Sequence, residues 1–535
     1  MKKILRGVTV LLVTVAMVLQ LSACGMFYFD FDVDFETELQ TDEASDSGTE
    51  PQTDETSDSD AATTDTTEGE TAGECESFTQ LCDDLFRDMI SSSAYNAHFS
   101  VTDESEYGIA FTEEDYSLGE FYYDSQEDFD YYGEYRKRLL AISRDGLSST
   151  EKRTYDILLE YLNIKLDYED CYKVENLFDP RNGIVSSLSW DFIEYVFYDK
   201  EDIDEYLLFL KSAAAYVSSA LDYASEQIKD GYFMCDEIID ANIEQIDKYL
   251  SAQTDPLIVT FEEKTDEMDS LTDEEKEEYK ALNEEYVNTY YLPVYSKIRE
   301  FLLEHKGAGT NEGGLCGFGE EGKAYYEALI KDKTSCNMTA GELINYLDDA
   351  MDSVFLQIVE IANNDYDSYE ESFDYDTGIS SPDDVMEYAL EKMSADFPEP
   401  VTRNYSLKYQ NEACEVDGNT AYYVLCRIDD ISVNNIKING SSVGDSSISL
   451  YSALTHEGYP GHLYQYTYFY SNDEIPDVIK MLDLLGSTEG WAEYASYCTL
   501  DYLDCAENVK KMIYLNDIFS YILVSRVDAG VNYEG

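Results

Sequence analysis

The spacing of apolar side chains predicts that most of the chain after residue 77 is helical. Between residues 155 and 164, and again between 202 and 228, apolar residues recur every three or four positions, which places them on one face of a helix. Residues that typically begin helices support this interpretation. They are a capping box at 148–151, helix-opening segments at 272–275 and 339–342, and the pair Ser381 and Pro382, in which proline takes the first helical position.

Three features interrupt the helical pattern. Pro293 is predicted to break or kink the helix that begins near residue 272. Residues 307–322 contain seven glycines and are predicted to form a loop, either beside a pocket or as a simple connector. Residues 421–426 and 431–438 are rich in β-prone side chains and predict a small sheet just before a histidine-containing motif.

The first 24 residues are typical of an export signal rather than of a folded segment. A short basic start is followed by an apolar run at 8–21, which is short for a membrane span. The run ends in L-S-A-C-G, which resembles a bacterial lipobox in which Cys24 is lipidated and becomes the mature N-terminus. An ordinary cleaved signal is the alternative. The lipobox predicts an extracytoplasmic lipoprotein anchored to the cell membrane.

Residues 25–76 have the composition of a disordered segment. Asp, Glu, Thr and Ser dominate, and no Lys or Arg occurs between Arg6 and Arg87. Such a segment buries too little apolar surface to offset the entropy of ordering its backbone. We therefore predict a self-repelling acidic tether between the membrane and residues 77–535, a length that suits one large domain or two smaller ones.

The net charge of the chain narrows the choice of binding partners. The chain has 113 acidic and 35 basic residues, a formal net charge of −78, which repels nucleic-acid phosphates and anionic lipid headgroups. Nucleic acid is therefore excluded as a partner, and membrane contact is expected only through the N-terminal lipid.

The eleven cysteines include no C-x-x-C pair, so a cysteine zinc site is not expected. Disulfides and free buried thiols both stay open.

Two of the four histidines in the chain, His456 and His462, lie in the segment H-E-G-Y-P-G-H. Histidine is the commonest metal ligand, and a His-Glu pair followed by a second His is the core of a zinc hydrolase signature in which the Glu, here Glu457, acts as base. Glu489 follows 27 residues after His462, and Glu493 lies four residues further on the same helical face. Either carboxylate could be a third ligand. The cluster predicts a metal-dependent hydrolase.

The six-residue separation of His456 and His462 requires a bent helix. On a straight helix six residues turn the chain by about 240°, so the two rings could not reach one ion. Pro460 lacks an N–H and clashes with the carbonyl four residues back, and Gly461 tolerates almost any backbone angle. We predict a distortion at 459–461 that brings the two rings together. The alternative is a chance motif in which His462 is an ordinary structural residue.

Four segments carry a family resemblance. They are Y-Y-V-L-C-R-I-D-D at 422–430, N-N-I-K-I-N at 434–439, the histidine motif at 456–462 and E-G-W-A at 489–492. Together they resemble the bacterial family called domain of unknown function 885 (DUF885), which carries H-E-x-x-P-G-H followed by E-G-W-A. The family in turn resembles gluzincin peptidases related to neurolysin and the thermostable carboxypeptidases. The resemblance implies a mainly α, bilobal helical fold around a long cleft, with a small β-sheet beside the active-site helix.

The resemblance also implies residue roles. His456, His462 and Glu489 match zinc ligands, and Glu457 matches the general base. Family members continue beyond the segment 525–535 with a P-G-Q-A-type motif and a tyrosine, so we expect this chain to be truncated at its C-terminus. A donor is also needed for the oxyanion of the transition state. Four candidates stay open for that role: Tyr422, Tyr423, Tyr494 and Arg526.

These observations favour a lipid-anchored, extracytoplasmic zinc metallopeptidase that cuts short peptides in a cleft. One alternative keeps the zinc centre and changes the substrate to a non-peptide amide. Another is a surface lipoprotein that binds peptides and has a vestigial metal site without stoichiometric zinc. The substrate sequence, the choice between exopeptidase and endopeptidase action, and the oligomeric state are left open by the sequence.

Overall fold

The computed structural model describes residues 77–121, 126–252, 255–309, 311, 313–379, 381–411, 420–441 and 447–535. Within these residues the chain is mainly helical with one small sheet, as predicted. The predicted signal segment, the acidic tether and Cys24 lie outside them.

Helices dominate the first part of the described chain. They are α1 Phe78–Ser91, α2 Ala94–Ser100, α3 Gln126–Ala141, α4 Ser149–Asp167, α5 Ile184–Glu194, α6 Lys200–Asp230, α7 Asp236–Leu250, α8 Pro256–Glu267, α9 Asp273–Tyr286 and α10 Leu292–Glu304. The capping box predicted at Ser148 and the helix start predicted at Thr272 are confirmed, because both side chains accept the backbone N–H three residues on. A π-helical turn, Val287–Tyr291, separates α9 from α10, and Pro293 lies in the first turn of α10, so the predicted interruption is also confirmed.

The second part of the chain continues with shorter and longer helices. They are α11 Glu320–Thr334, α12 Ala340–Asn364, α13 Tyr366–Glu371, α14 Pro382–Lys392, α15 Ser447–Glu457, α16 His462–Tyr470, α17 Asp477–Lys480, α18 Leu485–Thr499 and α19 Glu507–Ala529. The predicted helix starts at Thr339 and Ser381 are confirmed by their side-chain caps. Both caps are local signals, which is why the sequence alone identifies them.

The glycine-rich loop is shorter than predicted. A 3-10 turn, Leu315–Phe318, lies inside it, and α11 already begins at Glu320. Two acidic residues in the first turn of α11 favour this early start, since carboxylates stabilise a helix N-terminus. The Leu315 N–H donates to the side chain of Asn532 at 3.1 Å, so the segment serves as a connector that packs on the C-terminal residues.

Three strands form the sheet: β1 Ser406–Tyr409, β2 Ala421–Val424 and β3 Asn435–Ile438. The central strand is β3, with β1 parallel and β2 antiparallel to it. The two predicted strands are confirmed, although each is shorter than its β-prone segment. The sequence does not predict β1, because its four residues lack an alternating pattern and it pairs with β3 residues 29 positions later.

One face of the sheet packs against the helix that carries the first histidine. Tyr423 and Ile436 point to this face and are buried together with Tyr451 and Leu454 of α15. Side chains at alternating positions, including Val424, point to the opposite face. The sheet therefore fixes the position of α15 and leaves its own second face for other contacts.

None of the helices described is both long and apolar enough to cross a membrane.

The eight cysteines in the described ranges form no disulfide, and burial raises the pKa of the Cys82 thiol to about 12. Free thiols are therefore the correct alternative for these eight positions.

Candidate metal centre

The histidine motif forms a break between two helices. Helix α15 ends at Glu457 and α16 begins at His462, so the predicted distortion is confirmed, and the Tyr459–Pro460 peptide bond is cis. Glycine is required at position 461 for a different reason from the one predicted. Its φ of −77° is ordinary, but a Cβ there would lie 1.7 Å from the carbonyl oxygen of His456. Only glycine allows this close approach.

The break brings the two histidine rings together. The ring centroids of His456 and His462 are 4.7 Å apart and the rings are nearly perpendicular, at 86°. Both side chains are largely buried, with 17% and 10% of their surface exposed. The predicted convergence of the rings is therefore confirmed.

The carboxylate of Glu489, on α18, faces both rings. Its Oε2 lies 3.4 Å from Nε2 of His456, and its Oε1 lies 3.5 Å from Nε2 of His462. The ligand atoms of the three residues all lie within 4.8 Å of one another. Two imidazoles and one carboxylate are the protein donor set of many catalytic zinc sites, which keep a fourth position open.

The electrostatics of the cluster favour a positive charge between these side chains. Burial opposes protonation of His456, but its hydrogen bonds with Glu489 and Glu493 outweigh burial and raise its pKa to about 10. Hydrogen bonds with His456 and His462 hold the pKa of Glu489 far below its usual range. In chemistry and charge, the donor set therefore fits a divalent cation.

Glu493 has a different place from Glu489. Its Oε1 lies 3.4 Å from Nδ1 of His456, on the opposite side of the ring from Glu489. The same oxygen accepts the hydroxyl of Tyr521 at 2.9 Å. A carboxylate on the second ring nitrogen fixes the orientation and tautomer of a ligand histidine. For His462, Nδ1 lies 3.4 Å from the side-chain oxygen of Gln465.

The geometry also fixes the orientation of Glu457. Its Oε2 accepts the backbone N–H of Tyr423 in β2 at 2.8 Å, and its Oε1 lies 3.9 Å from Nε2 of His456. One carboxylate oxygen is thus held by the sheet while the other faces the cluster. Burial raises the pKa of Glu457, against the opposing effect of the two histidines, which suits a proton acceptor.

The second motif holds the break in place. Trp491, two residues after Glu489, donates its indole N–H to the carbonyl oxygen of Pro460 at 3.0 Å. The E-G-W-A segment therefore supplies both a carboxylate to the cluster and a support for the turn that shapes it. In this chain the two motifs are therefore physically linked.

The four candidate oxyanion donors do not share one environment. The hydroxyl of Tyr422 donates to Glu194 at 2.6 Å, and that of Tyr423 donates to Asn434 at 2.6 Å. Arg526 is bound to two carboxylates, Asp348 and Glu534. Tyr494 is 62% exposed and its ring lies against Trp491. These contacts join none of the four side chains to His456, His462 or Glu489. Tyr423 instead positions Glu457, because its backbone N–H donates to the Glu457 carboxylate.

Sequence reasoning missed Tyr521 and Gln465, which lie beside the cluster. The hydroxyl of Tyr521 donates to the Glu493 carboxylate. The side-chain oxygen of Gln465 lies 3.4 Å from Nδ1 of His462. Gln465 lies three residues after His462 on α16, a helical spacing that could have indicated the contact. Tyr521 lies on α19, and no local signal connects it with Glu493.

Replacing Gly461 with alanine is expected to disrupt the centre. Because the new Cβ would lie 1.7 Å from the His456 carbonyl, the backbone must shift, at a cost of at least about 1–3 kcal/mol of unfolding free energy. Gly490→Ala is the matched control, since a Cβ at Gly490 meets nothing within 4 Å. Thermal unfolding and zinc titration would measure both variants. A Gly461→Ala protein with wild-type stability and zinc affinity would contradict this reason for the glycine.

The chain is similar to bacterial proteins of one family. A model of the family described as "Bacterial protein of unknown function (DUF885)" matches residues 115–535, which include the whole cluster. No curated protein matches the chain. A solved structure from Colwellia psychrerythraea, described as a "putative lipoprotein", is 16% identical, with 86% of this chain and 84% of that chain covered and a TM-score of 0.67. At this identity the likeness shows the fold.

Proposed function

This chain belongs to the bacterial family DUF885, and we propose that it is a zinc-dependent metallopeptidase anchored outside the cytoplasm by a lipid on Cys24. The observation that carries the proposal is the convergence of His456, His462 and Glu489, with ligand atoms within 4.8 Å of one another. The largely buried carboxylate of Glu457 lies beside them. The resemblance of the motifs to gluzincin peptidases supports the same conclusion.

The cluster would hold the zinc through Nε2 of His456, Nε2 of His462 and the Glu489 carboxylate. When bound, zinc polarises a substrate carbonyl and lowers the pKa of a water molecule towards 7. Glu493 orients His456 from its second ring nitrogen. His456 is therefore oriented by a neighbouring carboxylate of the chain.

Glu457 would act as the general base. Its Oε1 faces the cluster and accepts a proton from the attacking water, while the N–H of Tyr423 keeps the other oxygen in place. The protonated carboxyl then donates to the leaving amine. Its raised pKa makes the carboxylate a stronger proton acceptor than an ordinary glutamate, and a pKa nearer the working pH suits a group that both accepts and donates a proton.

The sheet provides a reason to propose peptides as substrates. In an antiparallel pair, backbone groups alternate between facing the partner and facing away. Tyr423 faces away from β3, since its N–H is bonded to Glu457. The outer edge of β2 therefore borders the cluster, and an extended peptide can add to an edge strand through main-chain hydrogen bonds. Because the Tyr423 N–H is already bonded to Glu457, such a peptide would pair with the other outward-facing backbone groups of β2.

A peptide-library digest tests this function. Full-length, zinc-loaded protein should cleave library members, a chelator should stop cleavage, and zinc should restore it. His456→Ala should lose cleavage, whereas His305→Ala is the matched control, because His305 caps a different helix through the carbonyl of Phe301. Stoichiometric zinc without peptide cleavage would favour another amide as substrate. A protein without stoichiometric zinc would contradict the proposal and favour a peptide-binding lipoprotein.

The lipid anchor on Cys24 is tested separately. Cys24→Ser is expected to move the protein from the membrane fraction to the supernatant and to abolish labelling by a radioactive fatty acid, because the thiol is the acceptor of the lipid. Cys336→Ser, at an exposed cysteine, is the control and should fractionate like the wild type. Retention of the Cys24→Ser protein in the membrane fraction would refute the anchor.

A further inference from the structure

A second cluster of metal-binding side chains lies on α2 and α6, two helices that carry no residue of the centre described above. It consists of His98 on α2 and of Asp202 and Glu205 on α6. Each side chain offers one ligand atom, and these atoms all lie within 4.8 Å of one another. His98 and Asp202 are buried, with 8% and 9% of their surface exposed, and Glu205 is half-buried.

The hydrogen bonds of His98 show where its ring proton lies. Nε2 is 3.0 Å from the backbone carbonyl oxygen of Val196, and because a carbonyl oxygen only accepts, Nε2 is the nitrogen that carries the proton. In neutral imidazole the other nitrogen, Nδ1, then has a lone pair, yet it lies 3.3 Å from Oδ1 of Asp202. A lone pair and a carboxylate oxygen repel each other. A cation must therefore lie between them, either a second proton or a metal ion.

The separation of the two atoms favours a metal ion. A proton shared between imidazolium and carboxylate usually draws the nitrogen and oxygen to about 2.7–2.9 Å. Two ligands of one tetrahedral zinc, at bond lengths of about 2.0–2.2 Å, lie about 3.3–3.5 Å apart. The 3.3 Å between Nδ1 of His98 and Oδ1 of Asp202 fits the second case, as does the 3.4 Å between His456 and Glu489 in the first cluster.

Each of the three side chains is also held by a further group. The ring of His98 stacks on Tyr195 with centroids 4.0 Å apart. The second oxygen of Asp202 accepts two backbone N–H groups, at 2.7 and 2.8 Å. One oxygen of Glu205 lies 3.5 Å from the hydroxyl of Tyr195. Outer partners of this kind fix the tautomer and direction of metal ligands.

The charges of the cluster favour a divalent cation over a proton. A single proton on His98 balances only one of two neighbouring carboxylates. Burial, together with the Asp202 carboxylate, raises the pKa of Glu205 to about 7. A divalent ion balances both carboxylates and removes this penalty. One imidazole and two carboxylates are donors that suit zinc.

We propose that His98, Asp202 and Glu205 form a second, structural zinc site that ties α2 to α6. The carbonyl oxygen of His98 accepts the Nε–H of Arg427 at 2.9 Å, and Arg427 lies in the connection between β2 and β3. The site thus supports the packing of α2 on the connection that leads out of the sheet. It does not depend on the proposed function, because its ligands belong to other helices.

Zinc binding by the full-length protein tests this site without any measurement of activity. After removal of metal with a chelator and dialysis against zinc, the wild type should bind two equivalents. The double variant His456→Ala, Glu489→Ala should keep one. Adding Glu205→Gln to it should lower the remaining zinc affinity at least tenfold, because the amide keeps the shape of the side chain and removes a charged ligand. Metal analysis and competition with a chromophoric chelator measure these quantities.

Glu201→Gln in the same double variant is the matched control, since Glu201 is exposed and lies one turn earlier on α6. It removes the same charge and should leave the zinc affinity unchanged. Zinc should also raise the thermal unfolding temperature of the double variant, and Glu205→Gln should abolish this rise. Circular dichroism checks that each variant is folded.

The outcomes separate this site from the first centre. A double variant that binds no zinc, or whose zinc affinity survives Glu205→Gln as surface binding would, overturns the second site. One equivalent in both the wild type and the double variant would support the second site and refute the metal centre of the proposed function. If Glu205→Gln does not fold, anomalous diffraction from zinc-grown wild-type crystals decides. A peak about 2.0–2.2 Å from Nδ1 of His98 supports the site, and its absence overturns it.

Discussion

Glu457→Gln is expected to lower kcat/KM for peptide hydrolysis by about 10²–10⁴-fold, the contribution typical of a general base, while zinc stays bound. The amide keeps the shape of the side chain but cannot accept the proton. Zinc should be retained because the nearest Glu457 oxygen lies 3.9 Å from His456, whereas Glu489 lies between the two ring nitrogens. Steady-state kinetics and metal analysis of the same preparation measure both quantities.

The control for this variant is Glu474→Gln, at an exposed glutamate between α16 and α17. It removes the same charge from a chain with 113 acidic residues and should leave both kcat/KM and zinc content unchanged. Near-normal turnover of Glu457→Gln would contradict the assigned base. Loss of zinc from that variant would instead assign Glu457 as a ligand.

Glu489→Ala is expected to reduce zinc affinity by more than about 100-fold, and Glu493→Ala by about 10–100-fold. The difference follows from position: Glu489 faces Nε2 of both histidines, whereas Glu493 faces Nδ1 of His456 from the other side of the ring. A group that orients a ligand typically accounts for about 10–100-fold in metal affinity, and loss of the ligand itself should cost more. Competition with a chromophoric chelator measures both constants.

The two variants are matched, since both remove a carboxylate from the same face of α18 beside the same histidine. A larger loss of affinity in Glu493→Ala than in Glu489→Ala would reverse the two roles. Equal and small losses would show that neither carboxylate takes part in metal binding.

Local signals explain what the sequence predicted correctly about the fold. The capping boxes at Ser148, Thr272 and Thr339 each involve residues three positions apart, so they can be identified without tertiary structure. The break before His462 is equally local. Pro460 lacks an N–H and clashes with the carbonyl four residues back, so a regular helix cannot continue through it. In contrast, β1 depends on pairing with a strand much later in the chain.

Long-range contacts explain what the sequence could not predict about the site. Gly461 is required because a carbonyl approaches it closely, not because of its φ angle. Tyr521 reaches Glu493 from a separate helix. Arg526 is a plausible donor by residue type, but two carboxylates already bind it. Spacing alone left Glu489 and Glu493 equivalent, and only the three-dimensional arrangement assigns them to different ring nitrogens of His456.

Anomalous diffraction at the zinc absorption edge, from crystals of the full-length chain grown with zinc, tests the central claim most directly. We expect a strong peak about 2.0–2.2 Å from Nε2 of His456, Nε2 of His462 and an oxygen of Glu489. A peak at that place would locate the metal where the proposed chemistry requires it. Zinc-soaked crystals with no anomalous peak between these three side chains would contradict the metal centre and the hydrolase proposed from it.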